Sequence, residues 1–323
     1  MLAATATGFN AQDPIAGLTI GDRPDPVPED GWTVVRVKAT SLNHHDLWSL
    51  KGVGLREDQL PMVLGTDAAG IEEDGNEVVI HAVIGDPARG GGDETLDPKR
   101  SLLSEVYNGT LAELVAVPRR NLVPKPASLS FEQASCLPTA WLTAYRMLVT
   151  RGALQSGETI LIQGAGGGVS TALIPIAKAL GLRVWVTGRD AGKRDQAVEL
   201  GAEQAFEPGA RLPERVDAVM ESVGEATWSH SLKSLRPGGR VVVCGATSGP
   251  NPPADLARVF FLQLSVIGST MGTRDELEAL MQLCQREQLT PLVDRTFTLT
   301  DAKAALEYLH SGEAFGKVVV TPA

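Results

Sequence analysis

The sequence predicts an α/β protein, with a doubly wound parallel sheet in the second half of the chain behind a mostly β first third. Three observations carry this. Short apolar strands at 159–163, 184–186, 216–220 and 240–244 alternate with helical runs at 169–180, 193–200 and 227–235, the pattern of a parallel sheet covered on both faces. The first strand runs into Gly164-Ala165-Gly166-Gly167-Gly168-Val169-Ser170, a turn with few Cβ atoms at the start of a helix. The length, 323 residues, exceeds the roughly 250–300 at which a single core stops growing, so two domains are expected.

The β character of the first third rests on partial alternation at 32–39 and on β-rich runs at 77–83 and 111–117, set off by Gly, Asp and Pro. Residues 85–108 are rich in Gly, Asp, Glu and Pro and lack apolar periodicity, which predicts a surface loop. Ser130-Phe131-Glu132-Gln133-Ala134 has the form of a capped helix start and 141–149 continues helically; the crossover between domains is expected here. Pro175 falls inside the first helix of the alternating region, removing an amide donor at a cost of about 3 kcal/mol if unrelieved and predicting a kink or a bound water. The link 206–216 holds Pro208, Gly209 and Pro213 and is too short for a crossover helix, so one helix of the ideal topology is expected to be missing. A strand at 265–269, a helix at 275–286, a strand near Phe297, a helix at 301–309 and a strand at 317–320 complete the chain.

Composition excludes several classes. Net charge is −10 with no dense basic run, against a nucleic-acid partner, which needs cations to displace counterions. No apolar run approaches the roughly 18–20 residues of a membrane span, and a basic start followed by an apolar stretch is lacking; a soluble, cytoplasmic protein is expected. Cys136, Cys244 and Cys284 are too scattered for a disulfide framework or a four-thiolate zinc site.

Strand, glycine turn, helix and second strand in that order open a dinucleotide-binding βαβ unit of the Rossmann type. A pyrophosphate needs backbone N–H groups at close range and gains from the helix dipole. Gly164, Gly166, Gly167, Gly168 and Val169 supply that turn, although Val169 or Ser170 stands where the third glycine of G-x-G-x-x-G would fall. An NAD site ordinarily ends the second strand with an acid; here the position holds Gly188, followed by Arg189 and Lys193, two cations that suit a 2′-phosphate. NADPH is favoured over NADH. Asp190 argues the other way, since a one-residue shift would set an acid near the ribose.

Several segments in order resemble the medium-chain dehydrogenase/reductase superfamily, and within it the zinc-free, quinone-oxidoreductase-like branch: 39–46 (Ala-Thr-Ser-Leu-Asn-His-His-Asp), 61–70, 109–113, 137–145, 177–181, 200–202, 235–239 and 315–320. The resemblance implies a GroES-like β-rich catalytic domain (1–123 and 270–323) around a Rossmann domain (124–269), a small-molecule substrate in the cleft between them, and a homodimer joined through the last Rossmann strands. It also implies that Thr143 touches the nicotinamide and that Lys317 belongs with the cofactor contacts. Gly245, Ala246, Thr270 and Met271 should flank the cofactor, because they follow two successive parallel strands on the ligand side.

Zinc-dependent members place a Cys where this chain has Asn43, a His-Glu pair where it has Thr66-Asp67, and a four-cysteine lobe where it has 85–108. His44, His45, Asp46 and Asp67 are the local substitutes, and adjacent histidines in an extended segment point opposite ways; no metal is expected. With no ligand set for a Lewis acid, conjugate reduction suits the site better than alcohol oxidation. Hydride would pass from NADPH to a quinone or to the β-carbon of an α,β-unsaturated carbonyl, while donors hold the oxygen. Asn43 is the first candidate for the oxygen or nicotinamide contact, with Asp46 holding the loop and His45 or a ribose-linked water giving the proton; the alternative is a buried polar network that only shapes the loop. Cys244 reads as a core residue. Enoyl-thioester reductases of this superfamily carry a tyrosine in the segment equivalent to 51–55, absent here, which makes that activity the runner-up; a non-catalytic NADPH-binding sensor is the third reading.

Overall fold

A computed structural model describes residues 1–322. The chain forms two compact units, Met1–Leu142 with the residues from Met271 onward, and Thr143–Thr270.

The first unit is built around the ten-residue strand Trp32–Ser41. Val35, Val37 and Ala39 are buried while Arg36 and Lys38 are exposed, the period-two alternation of a strand with one face on a core. Its neighbours come from distant parts of the sequence: Ala68–Glu72 and Leu114–Pro118 pair with it antiparallel, and the C-terminal Lys317–Thr321 does so through Val319 opposite Ser41. Leu42, Leu47, Leu50, Leu64, Leu111, Leu306, Val318 and Val320 share one core, so the last residues of the chain are integral to this unit.

Three expectations change here. Residues 44–50 are a helix, His44–Leu50, not an extended segment, because Asn43 stands before its first turn and donates its backbone N–H to Asp46 Oδ2 at 2.8 Å, closing an N-terminal box. Residues 124–142, expected with the Rossmann domain, lie in the first unit; the short helix Phe131–Ser135 is capped by Ser130 as expected, but its Ser135 carbonyl accepts the Ser41 hydroxyl at 3.0 Å. The segment 85–108 is packed rather than a plain surface loop. Its Ser101–Leu102 pairs with Val83–Ile84, and the buried Asp97 accepts from the Asp86 and Lys99 amides and from the Arg89 guanidinium, which holds its carboxyl well below the usual range.

The second unit is a six-stranded parallel sheet in the order Gln204–Phe206, Arg183–Thr187, Thr159–Gln163, Val216–Glu221, Leu235–Val243, Ser265–Gly268. Strand order reverses between Thr159–Gln163 and Val216–Glu221, the switch point at which open parallel sheets bind ligands. Helices Gly168–Ala179, Ala191–Leu200 and Glu225–Ser234 follow their strands, and none lies between Phe206 and Val216, as the prolines there predict. Gly168–Ala179 runs on through Pro175. A short helix, Leu256–Phe261, had no counterpart in the pattern. Among the described residues no helix is long and apolar enough to cross a membrane.

Candidate active site

In the second unit the strand Thr159–Gln163 is wholly buried and stops at Gly164, whose φ of +92° is open to glycine and costly for other residues. Gly166 follows, Gly167 caps the helix that begins at Gly168, and Val169 lies in its first turn. A Cβ at Gly167 would meet nothing within 4 Å. Bare amides at a helix start beside open space are what a pyrophosphate needs.

Packing explains the missing acid at the end of the second strand. A Cβ on Gly188 would lie 2.9 Å from the Ala165 Cβ, so no carboxylate side chain fits there. Arg189 is exposed and Lys193 half-buried. Asp190 caps the helix Ala191–Leu200, accepting the Lys193 N–H at 2.8 Å, which gives the acid a structural task. Arg194, overlooked in the sequence, donates to the Gly188 and Arg189 carbonyls at 2.7 and 3.2 Å and fixes the turn that carries Arg189; its i+4 position from Asp190 was the available signal.

Behind the glycine turn runs a buried chain of polar groups. Gly164 N–H donates to Thr187 Oγ1 (3.4 Å), Thr187 to Gln163 Oε1 (2.6 Å), Gln163 Nε2 to Ser231 (3.0 Å) and Ser231 to Glu221 Oε2 (2.6 Å). Glu221 Oε1 also accepts the Val223 and Gly224 amides. Gly245 and Ala246 lie just past Leu235–Val243 and are half-buried, and Thr270 is exposed beyond Ser265–Gly268. Thr143 is buried in the helix Leu142–Arg146. Burial and the charge of Glu221 push the Cys244 thiol up to about 12, in keeping with an unreactive residue.

Two expected cofactor contacts lie in the first unit. Met271 belongs to the first unit, its side chain buried with Ala82 and Val83, next to Gly272, whose carbonyl accepts from His81 Nε2 at 2.9 Å. Lys317 is buried in the first unit at 3% exposure, where Nζ donates to Asn43 Oδ1 (2.6 Å) and to the Leu42 carbonyl (2.8 Å) and lies 3.4 Å from Asp67 Oδ2.

That lysine is the centre of the catalytic-unit site. Asn43 Nδ2 donates to Asp67 Oδ2 at 2.8 Å and to Thr66 Oγ1 at 3.2 Å; Ser41 also donates to Asp67 Oδ2, at 2.7 Å; Thr66 and Thr139 hydroxyls are 3.1 Å apart. The ammonium against Oδ1 and the carboxylate against Nδ2 fix which way the Asn43 amide faces. Both of its N–H groups are engaged, so Asn43 organises its neighbours instead of presenting a free donor, and the polar-network alternative is the better description of it. Asp46 does hold the loop: it is fully buried, and its second oxygen accepts the Gly65 amide at 3.1 Å. Burial raises its pKa above the ordinary value.

His45 Nε2 pairs with Glu105 Oε1 at 3.2 Å. Burial disfavours its charge, but the Glu105 hydrogen bond and the fields of Asp46, Glu105 and Asp67 prevail and raise its pKa. His44 is exposed, with its pKa lowered by desolvation and by Lys317. Successive residues of a helix do not share a face, so the two imidazoles diverge here for a different reason than the extended geometry assumed. Glu105 and Thr139 were missed in the sequence because nothing local marks them.

A glycine turn at the switch point of a parallel sheet, joined to a β-rich unit that carries a buried polar site, defines a nicotinamide-dependent oxidoreductase. The chain belongs to the medium-chain dehydrogenase/reductase superfamily: residues 29–127 match the alcohol dehydrogenase GroES-like domain and residues 168–286 the zinc-binding dehydrogenase domain. It is 30% identical to the acryloyl-coenzyme A reductase of Metallosphaera sedula over 94% of this chain and 96% of that one. It is 27% identical to the quinone oxidoreductase of Homo sapiens over 91% and 90%. Among solved structures it is similar to an NAD-dependent alcohol dehydrogenase (32% identity, TM-score 0.91, all of both chains). It is also similar to a 2-octenoyl-CoA carboxylase reductase in complex with NADP and 2-octenoyl-CoA (26% identity, TM-score 0.91, 99% and 87% covered).

The residues at the zinc position do not fit that ion. Asn43 and Thr66, with Thr139 hydrogen-bonded beside Thr66, offer an amide and two hydroxyls, whereas zinc takes thiolate, imidazole and carboxylate, and the Asp67 carboxylate is turned to Asn43, Ser41 and Lys317. Among the described residues no group of three or more His, Cys, Asp or Glu side chains could hold a metal.

Proposed function

We propose that this chain is an NADPH-dependent reductase of conjugated acceptors, either quinones or α,β-unsaturated carbonyl compounds. One observation carries the reading: where zinc-dependent relatives have metal ligands, this site is a set of amide and hydroxyl groups held in place by a buried Asp67–Lys317 ion pair. Such a site favours an oxygen that gains negative charge as hydride adds at carbon. The relatives named for quinone and acryloyl-CoA reduction share that chemistry, which supports the reading.

Bound NADPH would supply the hydride. The amides of Gly166, Gly167 and Gly168 would hold its pyrophosphate, and Arg189 with Lys193 its 2′-phosphate. In the catalytic unit Lys317 and Asp67 keep Asn43 in one orientation, and Glu105 holds the His45 imidazole.

The enoyl-thioester reading is favoured by the acryloyl-CoA and 2-octenoyl-CoA relatives. NADPH oxidation with naphthoquinone, cyclohexenone, a 2-alkenal and crotonyl-CoA separates the two: turnover confined to the thioester selects the second reading, and tight NADPH binding with no turnover selects the sensor.

The partner we propose is a second copy of the chain, with localisation in the cytoplasm. Ser265–Gly268 is an edge strand, paired on one side by Leu235–Val243; Val266 on it and Phe260 and Phe261 of the preceding helix are 51%, 71% and 79% exposed. An unprotected apolar edge is a pairing surface. Val266→Lys combined with Phe261→Asp should convert a dimer to a monomer in analytical ultracentrifugation; an unmodified protein that sediments as a monomer refutes this.

A further inference from the structure

Among the described residues, the hydrogen-bonded network that runs from Lys317 through Asn43 and Thr66 reaches a partly exposed hydroxyl at Thr139. Ser41, Asn43, Thr66, Asp67 and Lys317 are all buried; Thr139, hydrogen-bonded to Thr66, is partly exposed. We propose that the Thr139 hydroxyl is a catalytic residue, the donor that holds the acceptor's carbonyl oxygen while hydride adds. This rests on the reductase reading above.

The direction of each hydrogen bond follows from the charged end. Lys317 can only donate, so Asn43 Oδ1 accepts and Asn43 Nδ2 faces Asp67 and Thr66. Thr66 Oγ1 therefore accepts from Asn43. Its own proton then needs an acceptor, and Thr139 Oγ1 at 3.1 Å is within reach. The opposite direction would give Thr66 two incoming donors and leave a buried O–H unpaired, which is costly. With Thr66 donating, the Thr139 proton is the one that leaves the network, at the end of a chain running from Lys317 through Asn43 and Thr66. Each link polarises the next, and a buried cation at the head strengthens all of them.

The step balances without a further oxidant. Hydride supplied by bound NADPH would form the C–H bond at the β-carbon, the alkene π pair would shift into the bond between the α-carbon and the carbonyl carbon, the carbonyl π pair would move onto oxygen, and the Thr139 O–H would donate to that enolate oxygen while keeping its own proton. A proton from solvent then adds at the α-carbon, leaving the saturated carbonyl compound and NADP⁺.

The test compares Thr139→Val, Thr139→Ser and Thr66→Val with cyclohexenone and naphthoquinone as acceptors, measuring kcat, KM and NADPH affinity. Valine at 139 should lower kcat about a hundredfold or more, the ordinary cost of removing one oxyanion donor. Serine should restore most of it, Thr66→Val should fall between them, and NADPH affinity should stay unchanged in all three. A folded Thr139→Val protein with unchanged kcat overturns the assignment. Should valine at 139 unfold the protein, Thr66→Val decides in its place, because it cuts the chain one link inward and an unchanged kcat there is equally fatal. An unmodified protein that binds NADPH but reduces neither acceptor overturns the reductase reading together with this one.

Discussion

Each unit backs its functional turn with a buried polar network, and the two networks differ in what they orient. In the nucleotide-binding unit, no cation among the described residues hydrogen-bonds to Glu221; the Val223 and Gly224 amides at a helix start and the hydroxyls of Thr227 and Ser231 balance it. Its chain ends on the backbone N–H of Gly164, so it positions amides. In the catalytic unit the network is ionic, Asp67 with Lys317, and ends on side-chain amide and hydroxyl groups. The first arrangement suits holding a ligand, and the second suits polarising one, because oriented side-chain donors respond to charge that appears during reaction.

Lys317→Met tests this division most severely. It leaves Asp67 buried without a counter-charge and Asn43 Oδ1 without a donor, and removal of one partner from a buried ion pair typically costs about 3–5 kcal/mol. Chemical denaturation should show a loss in that range, while the double variant Lys317→Met/Asp67→Leu should recover much of it. A single variant as stable as the parent would mean that the pair is not ionic as drawn.

Glu221→Gln should cost less, about 1–3 kcal/mol, since hydrogen bonds to a charged acceptor are replaced by weaker ones. Its functional effect should fall on NADPH affinity, with kcat at saturating NADPH nearly unchanged. The reverse pattern, a kcat loss at constant affinity, breaks the distinction between the two networks.

Smaller again is Arg189→Ala. Loss of one exposed phosphate contact should weaken NADPH binding roughly tenfold, about 1.4 kcal/mol, and leave NADH binding as it was. Calorimetric titration with both cofactors measures this; an NADH preference in the unmodified protein defeats the 2′-phosphate assignment.

How far each unit could be read from the sequence follows the same division. Strand, glycine turn, helix and second strand lie within about thirty consecutive residues, so period and composition alone reveal them. Even the absence of a crossover helix after Phe206 shows in its prolines. The catalytic site joins Asn43 to Asp67, 24 positions away, and to Lys317, 274 positions away, and no local pattern records such pairings. Family resemblance marked Asn43 and the Thr66-Asp67 pair as departures from the zinc pattern, yet it could not show that Lys317 joins them in a buried network, because a motif carries no burial. The helix His44–Leu50 was hidden for another reason: its cap is an Asn43–Asp46 pair, with Asp where the familiar box has Glu. Residues 85–108 looked like a plain loop because their order comes from Asp97 and a two-residue strand, too short for periodicity to register.

Glu105, inside that segment, sets the smallest predicted effect. Burial favours neutral His45, and the Glu105 carboxylate 3.2 Å away is the largest single influence that raises its pKa above the ordinary value of about 6.5. A raised folded-state pKa means that the protonated imidazole stabilises the fold below about pH 6.5, and that this contribution disappears as pH climbs through the higher folded-state value. Glu105, with its pKa lowered, contributes in the complementary sense, losing its share as pH falls through its own folded-state value. Glu105→Gln removes the largest raising influence while burial and the fields of Asp46 and Asp67 remain, so the His45 pKa should fall and the stability gained on the acid side should shrink. The difference should be under about 1 kcal/mol for a partly exposed pair, visible as a change of slope in melting temperature against pH and directly in an NMR titration of His45. A His45 pKa unaffected by Glu105→Gln would show that the pair is not coupled, and the catalytic unit would then keep its ionic network at Lys317 without a second charged pair beside it.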